Sequence, residues 1–339
     1  MRTEPLRAPY RTIRSKGDAP RSDYNVENQM QHHKTHWKHL LCIGFAILLC
    51  GCETNSSKNY SPTGETVTIN NRKIHVRIIG NGKPTLIFFN DIDMYGSFNW
   101  IPLQNLTSST VKSIYYDRNG YYWSDKGKQP RDGEIIAEEL EDLLNAKQEN
   151  GPYILVCHAM GAIYGRIFAG RNIDKIKGII FIEPSNPDLF DRMEEIGIEK
   201  KIPKKSIRPL IWLITNLGIQ KSTNLKQYSL NDEQYDVAKA YFKKNSMAWF
   251  DETVASKESM IEAKKYKTFG DIPLVIMTSG RVHENYTKIT KLEIELQKEL
   301  LTLSSQGKQI IYKDVGHYIQ AEKPEIVVSI INEIVNEYK

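Results

Sequence analysis

Short, continuously apolar runs alternate along this chain with amphipathic stretches of helical period. The runs fall at residues 85–89, 111–116, 153–157, 178–182, 273–277 and 309–312. Each is of strand length and lacks polar alternation, the pattern of strands covered by helices on both faces of a parallel sheet. Two further segments, 65–70 and 73–79, flank a polar turn at Asn71 and Arg72 and read as an antiparallel hairpin. Between the runs lie helical patterns. Ile136, Leu140, Leu143 and Leu144 share one face of 133–147, and Ile326, Ile330, Ile331 and Ile334 share one face of 323–338. The expected class is α/β, with a mostly parallel eight-stranded sheet flanked by helices.

One interval breaks the alternation. Between Ile182 and Pro273 the amphipathic runs 207–219, 232–243 and 247–265 follow one another with no good strand. They predict a helical cap, about 187–268, inserted over the C-terminal edge of the sheet, where open α/β sheets bind ligands. The 207–219 segment, with Trp212, is expected to pack its apolar face on the core rather than on lipid.

The N-terminal region has a different character. An apolar run at 40–49 follows Lys34 and Lys38 and ends in Leu49, Cys50, Gly51 and Cys52. It is too short to span a bilayer and suits the apolar region of a signal peptide. Its end resembles a bacterial lipobox, which implies lipidation at Cys52. Residues 1–29 are polar and contain three prolines, so translation is expected to start at Met30. The expected organisation is an extension with a lipoprotein-type signal (1–52), a polar linker (53–64) and one domain (65–339). The domain is expected in the cell envelope, outside the cytoplasm and tethered to a membrane.

The net charge of +5 is misleading, because residues 1–52 hold eight Lys/Arg against four Asp/Glu. The body is nearly neutral and lacks the basic footprint of a nucleic-acid binder. Cys42, Cys50 and Cys52 lie in the N-terminal region, which leaves Cys157 as the body's single cysteine and no disulfide framework. Cys157 reads as a small core residue.

The candidate chemistry centres on Cys157, His158, Ala159, Met160 and Gly161, a strand running through a tight turn into a helix. Further signals are Tyr115 to Gly120, the Trp123-Ser124-Asp125 turn, Gly151 and Pro152 before the strand, and Gly316, His317, Glu322 and Pro324 near the end. In order and spacing they resemble the α/β-hydrolase superfamily, in particular esterase-like members with a helical cap. The resemblance covers about 66–338 and implies a Ser–His–acid site with an oxyanion hole of backbone amides. His317 aligns with the catalytic base. Glu183 is the favoured acid and Glu284 the alternative. The Met160 amide and one from Asp91 or Ile92 would form the oxyanion hole, while Asp117 and Arg118 read as structural.

The nucleophile position is Ala159, which has no hydroxyl. Neither Cys157, at the strand's end, nor His158, in the variable position of the elbow, replaces it. Cys157 and Ala162 also stand where the family has glycine, and the loop from Asn90 to Gly96 is glycine-poor. Several losses in one machine point to natural divergence. The resemblance therefore implies a degenerate serine-hydrolase site that binds a small carbonyl or carboxylate ligand, or serves as an accessory protein. The alternative is residual or serine-independent chemistry at His317. No metal-site, phosphate-loop or dinucleotide motif is recognised, and no cofactor is expected.

Overall fold

Asn70 and Asn71, with φ of 50° and 61°, turn strand β1 (Glu65–Ile69) back onto β2 (Arg72–Ile79). Two successive positive φ values make a hairpin turn that suits the twist of the paired strands, and asparagine tolerates the left-handed region. The turn thus sits one residue earlier than expected, because Arg72 pairs with Ile69. In the computed structural model, residues 60–199, 201–218, 231–281 and 287–338 are described. The signal segment, Cys52, most of the linker and Glu284 lie outside them.

The remaining strands are β3 (Thr85–Phe89), β4 (Ser113–Tyr116), β5 (Tyr153–His158), β6 (Ile176–Ile182), β7 (Leu274–Ser279) and β8 (Gly307–Tyr312). They form one eight-stranded sheet in the order β1-β2-β4-β3-β5-β6-β7-β8. Strand β2 is antiparallel to both neighbours and every other pair is parallel. Strand β4 begins two residues later than the apolar run, since the Val111 amide is taken by the Thr107 carbonyl.

The helices are α1 (Ile101–Thr107), α2 (Gly133–Ala146), α3 (Gly161–Arg171), α4 (Leu189–Glu195), α5 (Arg208–Asn216), α6 (Asp232–Ala240), α7 (Phe242–Ala263), α8 (Thr287–Glu299), α9 (Ile319–Glu322) and α10 (Pro324–Tyr338). Asp132 caps α2 by accepting from the Ile135 amide at 3.0 Å. Pro324 opens α10, where its missing N–H costs nothing.

The central strands show why their apolar runs are unbroken. Along β5, Tyr153, Leu155 and Cys157 enter one core with Leu140 of α2 and Ile167 of α3. Ile154 and Val156 enter a second core with Leu103 of α1 and Ile331 of α10. Successive side chains point to opposite faces, and here both faces are dry.

Helix α7 ties the inserted region to the body. Near its start, Asn245 accepts from the Tyr122 amide at 2.9 Å. Near its end, Glu262 accepts from the Glu134 amide at the first turn of α2, at 3.0 Å. Helix α5 departs from expectation. Arg208 pairs with Asp251 of α7 and Thr215 is buried, but Leu210, Trp212 and Leu217 are 54%, 54% and 52% exposed. Its polar side meets the neighbouring helix, so among the described residues its apolar side faces outward. No helix among the described residues is long and apolar enough to cross a membrane.

Candidate functional site

Strand β5 enters helix α3 through Ala159, whose φ of 49° is unusual for a residue with a β-carbon. The turn is held from both sides. Ala159 donates its amide to the Ile182 carbonyl at 3.1 Å, and its own carbonyl accepts from Ala162 at 3.0 Å and Ser185 at 3.1 Å. Gly161 lets α3 approach β3, since a β-carbon there would stand 2.3 Å from the Phe89 carbonyl oxygen. Cys157 fits because Gly165, one helical turn further on, has no side chain. A β-carbon on Gly165 would lie 2.4 Å from the Cys157 sulfur. That thiol is fully buried, and burial pushes its pKa up. It is packed away rather than poised to react.

The Met160 amide, expected to be an open oxyanion donor, is already engaged. It donates to Oδ1 of Asp91 at 3.0 Å. Asp91 thus meets Met160 through its carboxylate. Ile92 is half-buried against the core. The loop carrying Asp91 is fixed by Arg118, which donates to the Asn90 carbonyl at 2.8 Å and the Asp91 carbonyl at 2.7 Å. Arg118 itself forks onto Glu252 of α7, with Nε to Oε1 at 2.9 Å and Nη2 to Oε2 at 2.8 Å. Burial opposes the guanidinium's charge, but Glu252 outweighs it and holds the pKa above its usual range. Arg118 is structural, as expected, yet its structure is that of the site loop. Two residues further on, Asp93 accepts from the Tyr95 and Gly96 amides at 2.9 and 3.0 Å. Burial, followed by the charge of Asp91, raises its pKa to about 7.

Opposite this loop the structure brings His317 and Glu183 together. Glu183 follows β6 directly, at φ 47°. Its Oε2 lies 3.4 Å from His317 Nδ1, while its Oε1 accepts from the Ser279 amide. Desolvation by the surrounding protein works against protonation of His317, although its side chain still reaches solvent. The Glu183 hydrogen bond and the charge of Asp91 outweigh it, so the pKa is raised. The imidazole of His158 lies beside it, with ring centroids 4.7 Å apart. His158 is fully buried and its Nε2 is 3.0 Å from the His317 carbonyl oxygen. Burial, then the neighbouring His317, depresses its pKa to about 3. A cavity of about 250 Å³ opens here, lined by Glu183, Ser279, Arg281, Glu293 and His317 among others.

Glu252 and Asp93 were not singled out from the sequence. Glu252 is one acidic residue on an amphipathic helix, 134 positions from its partner, and no spacing signal marks it. Asp93 sits in a loop whose most visible property was its shortage of glycine.

No family model matches the chain. The protein YqjL of Bacillus subtilis is 24% identical over 264 residues, which span 78% of this chain and 88% of that protein. A protein of Gibberella zeae described as of the AB hydrolase superfamily is 22% identical over 277 residues, 70% of this chain and 81% of its own. A Schizosaccharomyces pombe protein is 37% identical over 76 residues, and that match spans 14% of its length. Among solved structures, an esterase from Exiguobacterium antarcticum superposes with a TM-score of 0.61 at 14% identity, covering 80% of this chain and 99% of the esterase. The epoxide hydrolase CorEH superposes with a TM-score of 0.60 at 14% identity, covering 82% and 99%. Strand order, the strand–turn–helix at Ala159 and these likenesses agree: the chain has the α/β-hydrolase fold.

Proposed function

We propose that this chain is a membrane-tethered protein with a degenerate serine-hydrolase site, which binds a small ligand or assists a partner without cleaving an ester. The observation that carries this reading is the Asp91 carboxylate on the Met160 amide, beside an elbow residue with no hydroxyl. Loss of a triad serine costs about 10⁶ in turnover. A negative charge on an oxyanion donor further opposes the charge that an acyl-transfer intermediate develops. The ligand fitting this reading is a small carbonyl or carboxylate compound whose oxygen competes with Asp91 for the Met160 amide.

The test is hydrolysis of short-chain aryl esters by the purified full chain. The expected result is no turnover above the buffer rate. Turnover that disappears in His317→Ala would overturn the reading. It would favour the alternative, a hydrolase with residual or serine-independent chemistry, for which the His317–Glu183 pair and the raised pKa of His317 speak.

The membrane tether rests on the lipobox-like end of the apolar N-terminal run, with Cys52 as the lipidated residue and the cell envelope as the location. Metabolic labelling with a radioactive fatty acid is expected to mark the protein. Labelling unchanged in Cys52→Ser would remove this part of the proposal.

A further inference from the structure

Asp91 and His317 come from two separate loops and His158 from the end of β5, and one ligating atom from each lies within 4.8 Å of the other two. We propose that these three side chains form a binding site for a divalent first-row transition metal ion, with zinc as the ion they suit best. The inference is independent of whether the site cleaves esters.

The hydrogen bonds decide which atoms are free to ligate. A carbonyl oxygen can only accept, so the 3.0 Å contact of His158 Nε2 with the His317 carbonyl puts the proton on Nε2. The neutral ring then carries a lone pair on Nδ1. That nitrogen is buried and has no hydrogen-bond partner, on a side chain that is itself fully buried. An orphaned polar atom in such a place is costly to bury, and a metal ion would satisfy it. The same reasoning applies to His317. Its Nδ1 faces the Glu183 carboxylate, which leaves Nε2 as the free donor. On Asp91, Oδ1 accepts from the Met160 amide, and Oδ2 remains.

Each ligand therefore already has the outer partner that metal sites require. Ligating histidines present their second nitrogen to a carbonyl or carboxylate, which fixes tautomer and ring orientation. Here His158 has the carbonyl and His317 the carboxylate. Two imidazoles and one carboxylate are the ligand set of open zinc sites, with a further position left for water or a ligand oxygen. Asp91 and Glu183 together supply two negative charges against the ion's two positive ones.

The distances allow it with modest movement. Ligand bonds of about 2.1 Å in a tetrahedral site place donor atoms roughly 3.4 Å apart, so the set must close by on the order of 1 Å. His158 is immobilised by burial. His317, whose side chain is 47% exposed, and the half-buried Asp91 have the freedom to close on it.

The test is zinc binding by the full chain after removal of metal with a chelator, measured by competition with a chromophoric chelator. His32, His33, His36 and His39 of the N-terminal region are a second potential source of binding. A variant with all four changed to Ala therefore serves as the background. In it, one equivalent of zinc is expected to remain. Asp91→Ala and His317→Ala, both at accessible positions, should each weaken it by more than the ~10–100-fold typical of an outer-shell change. Glu183→Gln should weaken it within that range. Cobalt substitution should give the intense visible bands of a tetrahedral nitrogen–oxygen site, absent in Asp91→Ala. Circular dichroism of each variant separates loss of the site from loss of the fold. No bound equivalent in the background variant would overturn the proposal, as would binding unchanged by both Asp91→Ala and His317→Ala.

Discussion

The backbone amide of Met160 donates to the Asp91 carboxylate at 3.0 Å, and so the donor that an acyl-enzyme site keeps open is closed from within. Placing a hydroxyl at the elbow is therefore expected not to be enough, on its own, for ester cleavage. Ala159→Ser is expected to hydrolyse aryl esters no faster than buffer. Ala159→Ser with Asp91→Gly should exceed the single variant by at least ~10²-fold, the usual value of one oxyanion donor. Equal rates in the two variants would show that Asp91 is not the block.

Cys157 and Gly165 form a second coupled pair, since the sulfur occupies the volume of a missing β-carbon. Gly165→Ala alone is expected to destabilise the protein by about 1–3 kcal/mol through overpacking. Removing the sulfur relieves the clash, because the Cys157 β-carbon would be 3.5 Å from the new methyl, an ordinary contact. Cys157→Ala with Gly165→Ala should recover most of the loss. Urea unfolding of the four members of the cycle measures the coupling, and strictly additive losses would contradict the packing described.

What the sequence makes legible follows from how local each cause is. Continuous apolar runs report burial on two faces, so the strands and their parallel class can be read from neighbouring residues. The helix–sheet contact at the elbow also leaves a trace, although its meaning shifts. Cys157 in place of glycine reads as lost constraint, and the structure shows the constraint transferred to Gly165. The long-range relations leave no such trace. Glu252 reaches Arg118 across 134 positions, and Asp91, His158 and His317 meet from two loops and the end of a strand far apart in the chain. Composition misleads at α5 as well, where Leu210 and Trp212 imply a packed face that instead lies outward.

The Arg118–Glu252 pair binds the site loop to the inserted helical region, with side-chain exposures of 4% and 0%. Burying two charges costs several kcal/mol in desolvation, and here the forked geometry offsets it. Removing one partner leaves the other charged and uncompensated. Glu252→Ala is expected to destabilise by about 3–5 kcal/mol, as measured by chemical denaturation. Since Arg118 also holds the Asn90 and Asp91 carbonyls, hydrogen exchange at the amides around Asp91 should accelerate more than expected from global stability alone. Uniform acceleration would separate the ion pair from control of the loop.

His158 makes the fold sensitive to acid in a definite window. Its pKa is near 3 in the folded protein, against 6.5 for the free side chain, because burial and the facing His317 disfavour its charge. Between those values the unfolded chain binds a proton that the folded chain does not. Stability therefore rises with pH across that window and levels off above about 6.5, with a slope of up to ~1.4 kcal/mol per unit. Asp93 acts in the opposite sense. Its pKa is about 7 when folded against 3.8 free, so the folded state binds the extra proton and stability falls as pH rises between those values. The two slopes partly cancel in the native protein, and a variant isolates one of them. His158→Gln keeps a buried polar side chain but cannot titrate. It is expected to be less stable than the native protein at pH 7.5, and the gap should narrow or reverse at pH 5. Urea midpoints at the two pH values decide the matter, and a gap independent of pH would mean that His158 is not held neutral by burial.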